Sequence, residues 1–235
     1  MKIFNPPTLQ NFELEQVTLS NKRYYIDKAG AKFYSVTTML SKTADKSFLE
    51  KWRKSIGNEE ADKIVKQSTT FGTKLHGTLE KLLLNEKIDF ILEEDKELES
   101  RFTPIKDYLL ENVSELLGSE IPLFSKQLKL AGTCDLVYKD NSGNIIIGDF
   151  KTSKKKKKLE WCEDYCLQIC CYAVMLNELY NISTDYGRLL FSYEDGSFEI
   201  ISFNPTKYFG TLKKRLNMFK TYIKDEQIKE DNTIF

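Results

Sequence analysis

Apolar and polar residues alternate from Thr133 to Lys139, and a second apolar run spans Ile145 to Phe150, with Asn141-Ser142-Gly143-Asn144 between them. Alternation interrupted by a turn tetrapeptide predicts two strands folded back as a hairpin. The same signals predict short strands over Arg23–Asp27 and Lys32–Tyr34 about Gly30, and a later hairpin of Tyr186–Tyr193 and Phe198–Phe203 joined by Glu194-Asp195-Gly196. A strand from Glu120 to Phe124 precedes the central pair.

Helical spacing governs much of the rest. Ser35 is placed to cap a helical turn over Val36–Leu40. Phe48, Leu49, Trp52 and Ile56 mark a helix. The pattern resumes at Glu59 through Ala61, Ile64 and Val65, and again after Thr69-Thr70 through Leu75, Leu79, Leu82 and Leu83, which predicts two consecutive helices. Ile88–Leu92 reads as a short extended run or a helical link. A broad helical pattern covers Lys96 to Leu117, with a break or kink expected at Pro104 and an end at Gly118. Glu160–Leu179 forms another helix, with Cys166, Ile169, Cys170, Ala173 and Leu176 on one face. Pro205 opens a closing helix through Phe219, and the polar stretch after Lys224 is expected to fray.

Composition narrows the partners. The 235 residues carry 35 basic and 35 acidic side chains, so nucleic-acid affinity must come from local clusters such as Lys154–Lys158 rather than from net charge. No Pro/Gly/Ser-rich linker divides the chain, which reads as one domain over 1–235. Within it, 1–118 supplies N-terminal strands and a helical cap, and 119–224 a sheet with flanking helices. No apolar run is long enough to span a bilayer, and no signal or transit segment opens the chain. The expectation is a soluble protein of the cytoplasm, bacterial or phage-infected, with reduced thiols and no membrane partner. Cys162, Cys166 and Cys170 fall at i, i+4 and i+8, a single stripe rather than converging thiolates, so buried, inert cysteines and no iron–sulfur cluster are expected.

The candidate chemistry sits on the central hairpin. Pairing of the two strands brings Asp135 and Asp149 together, and Asp149 and Lys151, two apart, share a face while Phe150 points into packing. Two acids and a lysine suffice to hold a divalent cation against a phosphodiester.

The pattern Gly132-x-x-Asp135, Asp149-x-Lys151-Thr152-Ser153 and Gln168-x-x-x-Tyr172, preceded by Phe71-Gly72-Thr73-Lys74-Leu75-His76, resembles the RecB-like branch of the PD-(D/E)xK nucleases. The opening Tyr34-Ser35-Val36-Thr37-Thr38-Met39-Leu40 and the spacing from Glu120 to Asp135 are most similar to the mitochondrial genome maintenance exonuclease and its bacteriophage relatives. The resemblance covers about Tyr24 to Tyr172.

It implies an α/β (α+β) fold, a mixed central sheet flanked by helices with an N-terminal helical cap, and a DNA exonuclease acting on single-stranded DNA from a free end in replication, recombination or repair. It further implies Mg2+ or Mn2+ bound by His76, Asp135, Asp149 and the Phe150 carbonyl. Lys151 would position water and stabilise the phosphate, and Gln168 and Tyr172 would organise the phosphate-side wall. A small residue at Gly72 would let the histidine helix approach the acidic strands. The rivals are an endonuclease of the same fold and a non-catalytic nucleic-acid-binding module.

Several residues keep two readings. Ser35 and Thr37 either start a helix or contact phosphate through its N-terminal amides. Trp52 and Arg53 either pack or stack on a base. His76 is a structural histidine or a ligand, and Glu120 an edge charge or an additional acid. Thr73, Thr152, Ser153, Lys154 and Lys155 line the expected DNA path, yet a lysine run is also a common solvated surface.

Overall fold

The computed structural model describes residues 4–19 and 22–233. Eight strands form one mixed sheet: β1 Leu14–Leu19, β2 Lys22–Asp27, β3 Lys32–Ser35, β4 Val113–Ser125, β5 Leu130–Asp140, β6 Ile145–Ser153, β7 Tyr186–Tyr193 and β8 Phe198–Phe203. Seven α-helices flank it among the described residues: α1 Val36–Thr43, α2 Ser47–Ile56, α3 Asn58–Leu83, α4 Asp89–Glu94, α5 Lys96–Asn112, α6 Glu163–Tyr180 and α7 Phe209–Thr233. The sheet runs β1-β2-β3-β5-β6-β7-β8, with β4 also paired to β5. Two pairings are parallel, β3 with β5 and β6 with β7.

Central strands are buried on both faces, and alternate side chains feed two cores. Ile147, Leu189 and Phe191 join the core under α1, α6 and α7. Ile146, Phe150 and Leu190 join the core under α3 and α5. Each such apolar side chain, fully buried, contributes about 1.5–3 kcal/mol, so the sheet centre is the most strongly held part of the molecule. No helix among the described residues is long and apolar enough to cross a membrane.

The β5–β6 hairpin, the β7–β8 hairpin and α6 lie where the pattern put them. Ser35 caps α1, its hydroxyl accepting from the Thr38 amide at 3.0 Å. Other expectations need correction. The segments on either side of Thr69-Thr70 form one continuous 26-residue helix, α3. Threonine weakens a helix by well under 1 kcal/mol, too little to break one whose C-terminal half buries Leu75, Leu79, Leu82 and Leu83.

The helix predicted to reach Leu117 ends at Asn112, and β4 begins at Val113 rather than at Glu120. Register shifts between Val113 and Glu115 and between Leu116 and Gly118 break the period-2 phase, and this mimicked helical spacing. Pro104 lies inside α5, which continues past it. Residues 88–92 belong largely to the short helix α4, and the Pro-containing lead-in is followed by β1, a mostly exposed strand without a clear apolar alternation. A 3-10 turn over Pro205–Tyr208 precedes α7, and α7 continues beyond Lys224 to Thr233.

Candidate active site

Strand β4 pairs along β5 from Leu130 to Asp140 and so occupies one edge of that strand. The opposite edge is shared: β3 pairs at Leu130 and Ala131, and β6 at Leu136 to Lys139. Gly132 to Asp135 therefore face a gap between two neighbouring strands, and the candidate site lies at this gap. Where the ladder opens, the Asp135 carboxylate accepts the Phe150 amide at 2.9 Å, so a side chain replaces the missing strand partner.

Across the gap, Lys151 Nζ lies 2.5 Å from Asp149 Oδ2, while Asp149 Oδ1 is buried without a hydrogen-bond partner. Helix α3 brings His76 to the same place. Its Nε2 meets the Phe150 carbonyl at 2.8 Å, and its Nδ1 faces Asp135 Oδ2 at 3.4 Å and Glu120 Oε1 at 3.9 Å. Glu120 holds a left-handed φ of +45° inside β4, a conformation that costs a non-glycine residue roughly 1–2 kcal/mol. Its neighbours Ser119 and Ile121 pair with Leu136 and Cys134, which sets Glu120 across from Asp135. One ligand atom each from His76, Glu120 and Asp135 fall within 4.8 Å of one another.

The electrostatics follow from crowding charges away from water. Burial pushes the Asp149 carboxyl up to about 6, against the pull of Lys151. It also raises Asp135, opposed by the charges of His76 and Lys151. For Lys151, burial works downward, but Asp149 and Asp135 outweigh it and hold the ammonium protonated. Burial likewise lowers His76, and Glu120 and Asp135 reverse the balance. Buried acids that disfavour their own charge are groups for which a bound cation supplies the missing compensation.

A cavity of about 310 Å³ collects eight of the expected residues: Ser35 and Thr37 at the start of α1, His76, Glu120, Asp135, Lys151, Gln168 and Tyr172. Gln168 Nε2 donates to the Tyr172 hydroxyl at 3.3 Å. Tyr172 is buried, and its hydroxyl would lie 2.8 Å from a Cβ at residue 132, so glycine there is a packing requirement. Gly72 has no such need, because a Cβ would meet only Thr152 Oγ1 at 3.8 Å. The close approach of α3 therefore does not depend on a small residue at that position.

The remaining expected contacts lie around this cavity. Thr73 lines an adjoining hollow with His76, Glu80 and Glu120. Thr152, Ser153 and Lys154 line a separate cavity of about 370 Å³ with Phe71 and Arg101, and Lys155 is exposed beside it. Trp52 and Arg53 on α2 line neither cavity, and Arg53 pairs with Asp62 at 2.8 Å. The five cysteines are buried, and burial pushes the Cys166 and Cys170 thiols up to about 12.

Sequence pattern passed over Gln16, Arg23 and Tyr25, which come from the N-terminal hairpin to line the same cavity. It also passed over Tyr165, whose ring lies 4.9 Å from Lys151 Nζ. A Lys or Arg on a short strand carries no signal of its target until the strand order is known.

The family model described as the PD-(D/E)XK nuclease superfamily matches residues 30–228. The chain belongs to that superfamily. No curated protein matches it. Superfamily membership makes the chain a nuclease of divalent-metal type, and the donors present fit such an ion. They are hard oxygen and imidazole ligands, converging within 4.8 Å beside a buried carboxylate oxygen that has no other partner.

Proposed function

We propose that this PD-(D/E)XK nuclease is a Mg2+- or Mn2+-dependent deoxyribonuclease that degrades single-stranded DNA from a free end. The observation that carries the chemistry is the meeting of His76, Glu120 and Asp135 beside the Asp149–Lys151 pair. His76, Asp135, Asp149 and the Phe150 carbonyl would hold the ion, with Glu120 as a further acid. His76 Nε2 lies 2.8 Å from the Phe150 oxygen, so the imidazole and this carbonyl stand side by side at the site. Such an ion, when bound, polarises the phosphate and lowers the pKa of water.

The protein's own groups divide the remaining work. Lys151 is protonated, so its role is to donate to a phosphate oxygen or orient water, not to remove a proton. Burial raises the carboxyls of Asp149 and Asp135 in the metal-free protein, and their role in this reading is to hold the ion. Gln168 and Tyr172 form a wall beside the acids. Ser35 and Thr37 offer hydroxyls and the α1 start to a phosphate, while Thr73, Thr152, Ser153, Lys154 and Lys155 line the flanking path.

End dependence rests on α2 and the first half of α3. None of α2 is buried, and between Asn58 and Thr70 only Ala61 is. We read this thinly packed pair as an arch, with Trp52 and Arg53 on it, through which a single strand is threaded. In this reading 1–118 supplies N-terminal strands and the helical cap, and 119–224 the catalytic sheet and flanking helices, of one nuclease domain. Digestion of end-labelled linear strands and closed single-stranded circles, each with Mg2+, Mn2+ or chelator, tests the whole. Linear strands should be degraded only with metal and circles should resist. Equal cutting of circles would replace the arch with an endonuclease, and no cutting at all would leave a binding module.

A further inference from the structure

The cavity lined by His76, Glu120 and Asp135 has three basic side chains on its walls, His76, Lys151 and Arg23. His76 is taken up by the Phe150 carbonyl and Asp135, and Lys151 by Asp149. Arg23 is exposed, and its guanidinium has neither an ion pair nor a hydrogen bond among the described residues. The acids of the cavity repel any phosphate other than the one neutralised by an ion, so a strand crossing it needs a second positive group for its next phosphate. Arginine suits that task because its planar fork binds two phosphate oxygens at once.

The hairpin that presents Arg23 is not a loose arm. Arg23 and Tyr25 are two residues apart on β2 and share a face. Tyr25 is buried against Phe33, Phe124 and Ala131, the last on β5 next to Gly132, and its hydroxyl donates to Gln16 Oε1 at 3.2 Å. The guanidinium is thus anchored through two residues to the strand that carries Asp135. The same cavity is lined by Ser35 and Thr37 at the start of α1, where the free first-turn amides place partial positive charge.

From this geometry we infer that Arg23 is a substrate-binding residue that grips the DNA phosphate next to the scissile one, so that the β1–β2 hairpin forms part of the nuclease site. The inference rests on the nuclease reading above. It concerns how the strand is held, and binding reads it without any cleavage.

The test uses full-length protein carrying Asp149→Asn, so that the strand stays intact, and a fluorescein-labelled linear oligothymidylate. Adding Arg23→Gln should weaken binding several-fold and lower the slope of log affinity against log salt by roughly 0.7, the value for one single-strand phosphate left unneutralised. Arg23→Lys should restore most of the slope but less of the affinity. Oligonucleotides with one neutral methylphosphonate linkage then locate the phosphate. A single linkage should weaken the Arg23 protein and leave Arg23→Gln unaffected.

An unchanged slope, or equal losses at every linkage in both proteins, overturns the inference. So does a fall in melting temperature that accounts for the binding loss in Arg23→Gln and Arg23→Lys alike, which would make Arg23 a support of the hairpin. Failure of wild-type protein to cleave with any metal would sink the nuclease reading instead, and the Arg23 result would stand as strand binding.

Discussion

The strands that carry Asp135 and Asp149 and the helices that lead to His76 are built on opposite principles. β5 and β6 are sandwiched between two apolar cores, so even their acids are desolvated and Asp149 is 1 % exposed. Helix α2 leaves Phe48 81 % exposed and buries nothing. Helix α3 joins the two regimes, solvated at its start and buried from Leu75 onward. Groups that must meet within a few ångströms need the rigidity of a packed sheet, whereas the proposed arch, if it accommodates a strand of any sequence, gains from loose packing. Desolvation has a cost, since two acids and Glu120 repel one another with only Lys151 and His76 to offset them.

The sharpest way to break this contrast is at Asp149. Asp149→Asn should reduce cleavage by roughly 10³-fold or more, measured as turnover at saturating Mg2+, while strand binding persists. The same change should not destabilise the metal-free protein. Asp149 has a folded pKa of about 6, above its ordinary value. Between those two pH values the folded state therefore binds more protons than the unfolded one, and stability falls as pH rises through the window. Asn removes that loss, so its melting temperature should gain on wild type from about pH 4 to above 6. A large drop in melting temperature at pH 7 would show that the buried carboxylate stabilises the fold.

Next comes the packing of the site wall. Gly132→Ala pushes a methyl group into the Tyr172 hydroxyl and should cost about 1–3 kcal/mol, with activity falling alongside. Gly72→Ala, one turn before His76, should leave activity unchanged and raise stability by up to about 1 kcal/mol, since a helix interior favours Ala over Gly. Chemical denaturation of the two variants separates them, and equal effects would mean that α3 packs tightly on β6 at Gly72.

The lysine run follows β6, its first member Lys154 lines a cavity with the first half of α3, and part of it is fastened. Lys154 pairs loosely with Glu194 at 3.5 Å, and the Lys157 amide donates to the Tyr193 hydroxyl at 3.2 Å. Replacing Lys154, Lys155, Lys157 and Lys158 together by Ala should make the salt dependence of strand binding shallower, by up to roughly 0.7 for each phosphate that a lysine had neutralised, and change saturated turnover less. An identical salt slope would return the run to solvated surface. The smallest effect is expected on α2, the proposed arch, where Phe48→Ala should shift stability by no more than about 0.5 kcal/mol. Phe102→Ala, in the core beneath α5, should cost about 3–5 kcal/mol. A comparable loss at Phe48 would mean that α2 is packed and the arch is not.

Local pattern was sufficient for the hairpin of β5 and β6, the cap at Ser35, the helix α6 and the face shared by Asp149 and Lys151, because each depends on neighbours within a few residues. Turn residues, alternation and capping hydroxyls are properties of short segments, and they survive folding unchanged. Even there bulges misled the reading: two register shifts in β4 made Val113 to Leu117 resemble helix and moved the strand's start by seven residues, from Glu120 to Val113. What only the tertiary structure decided is the gap opposite Gly132 to Asp135, since it exists because β3 and β6 share one edge of β5, the first pairing parallel and the second antiparallel. That gap selects which distant side chains meet. It brings Glu120 from a strained point of β4, His76 from α3 and Arg23 from an edge hairpin to one cavity with Asp135, groups spread along the chain farther apart than any short window of sequence can encode.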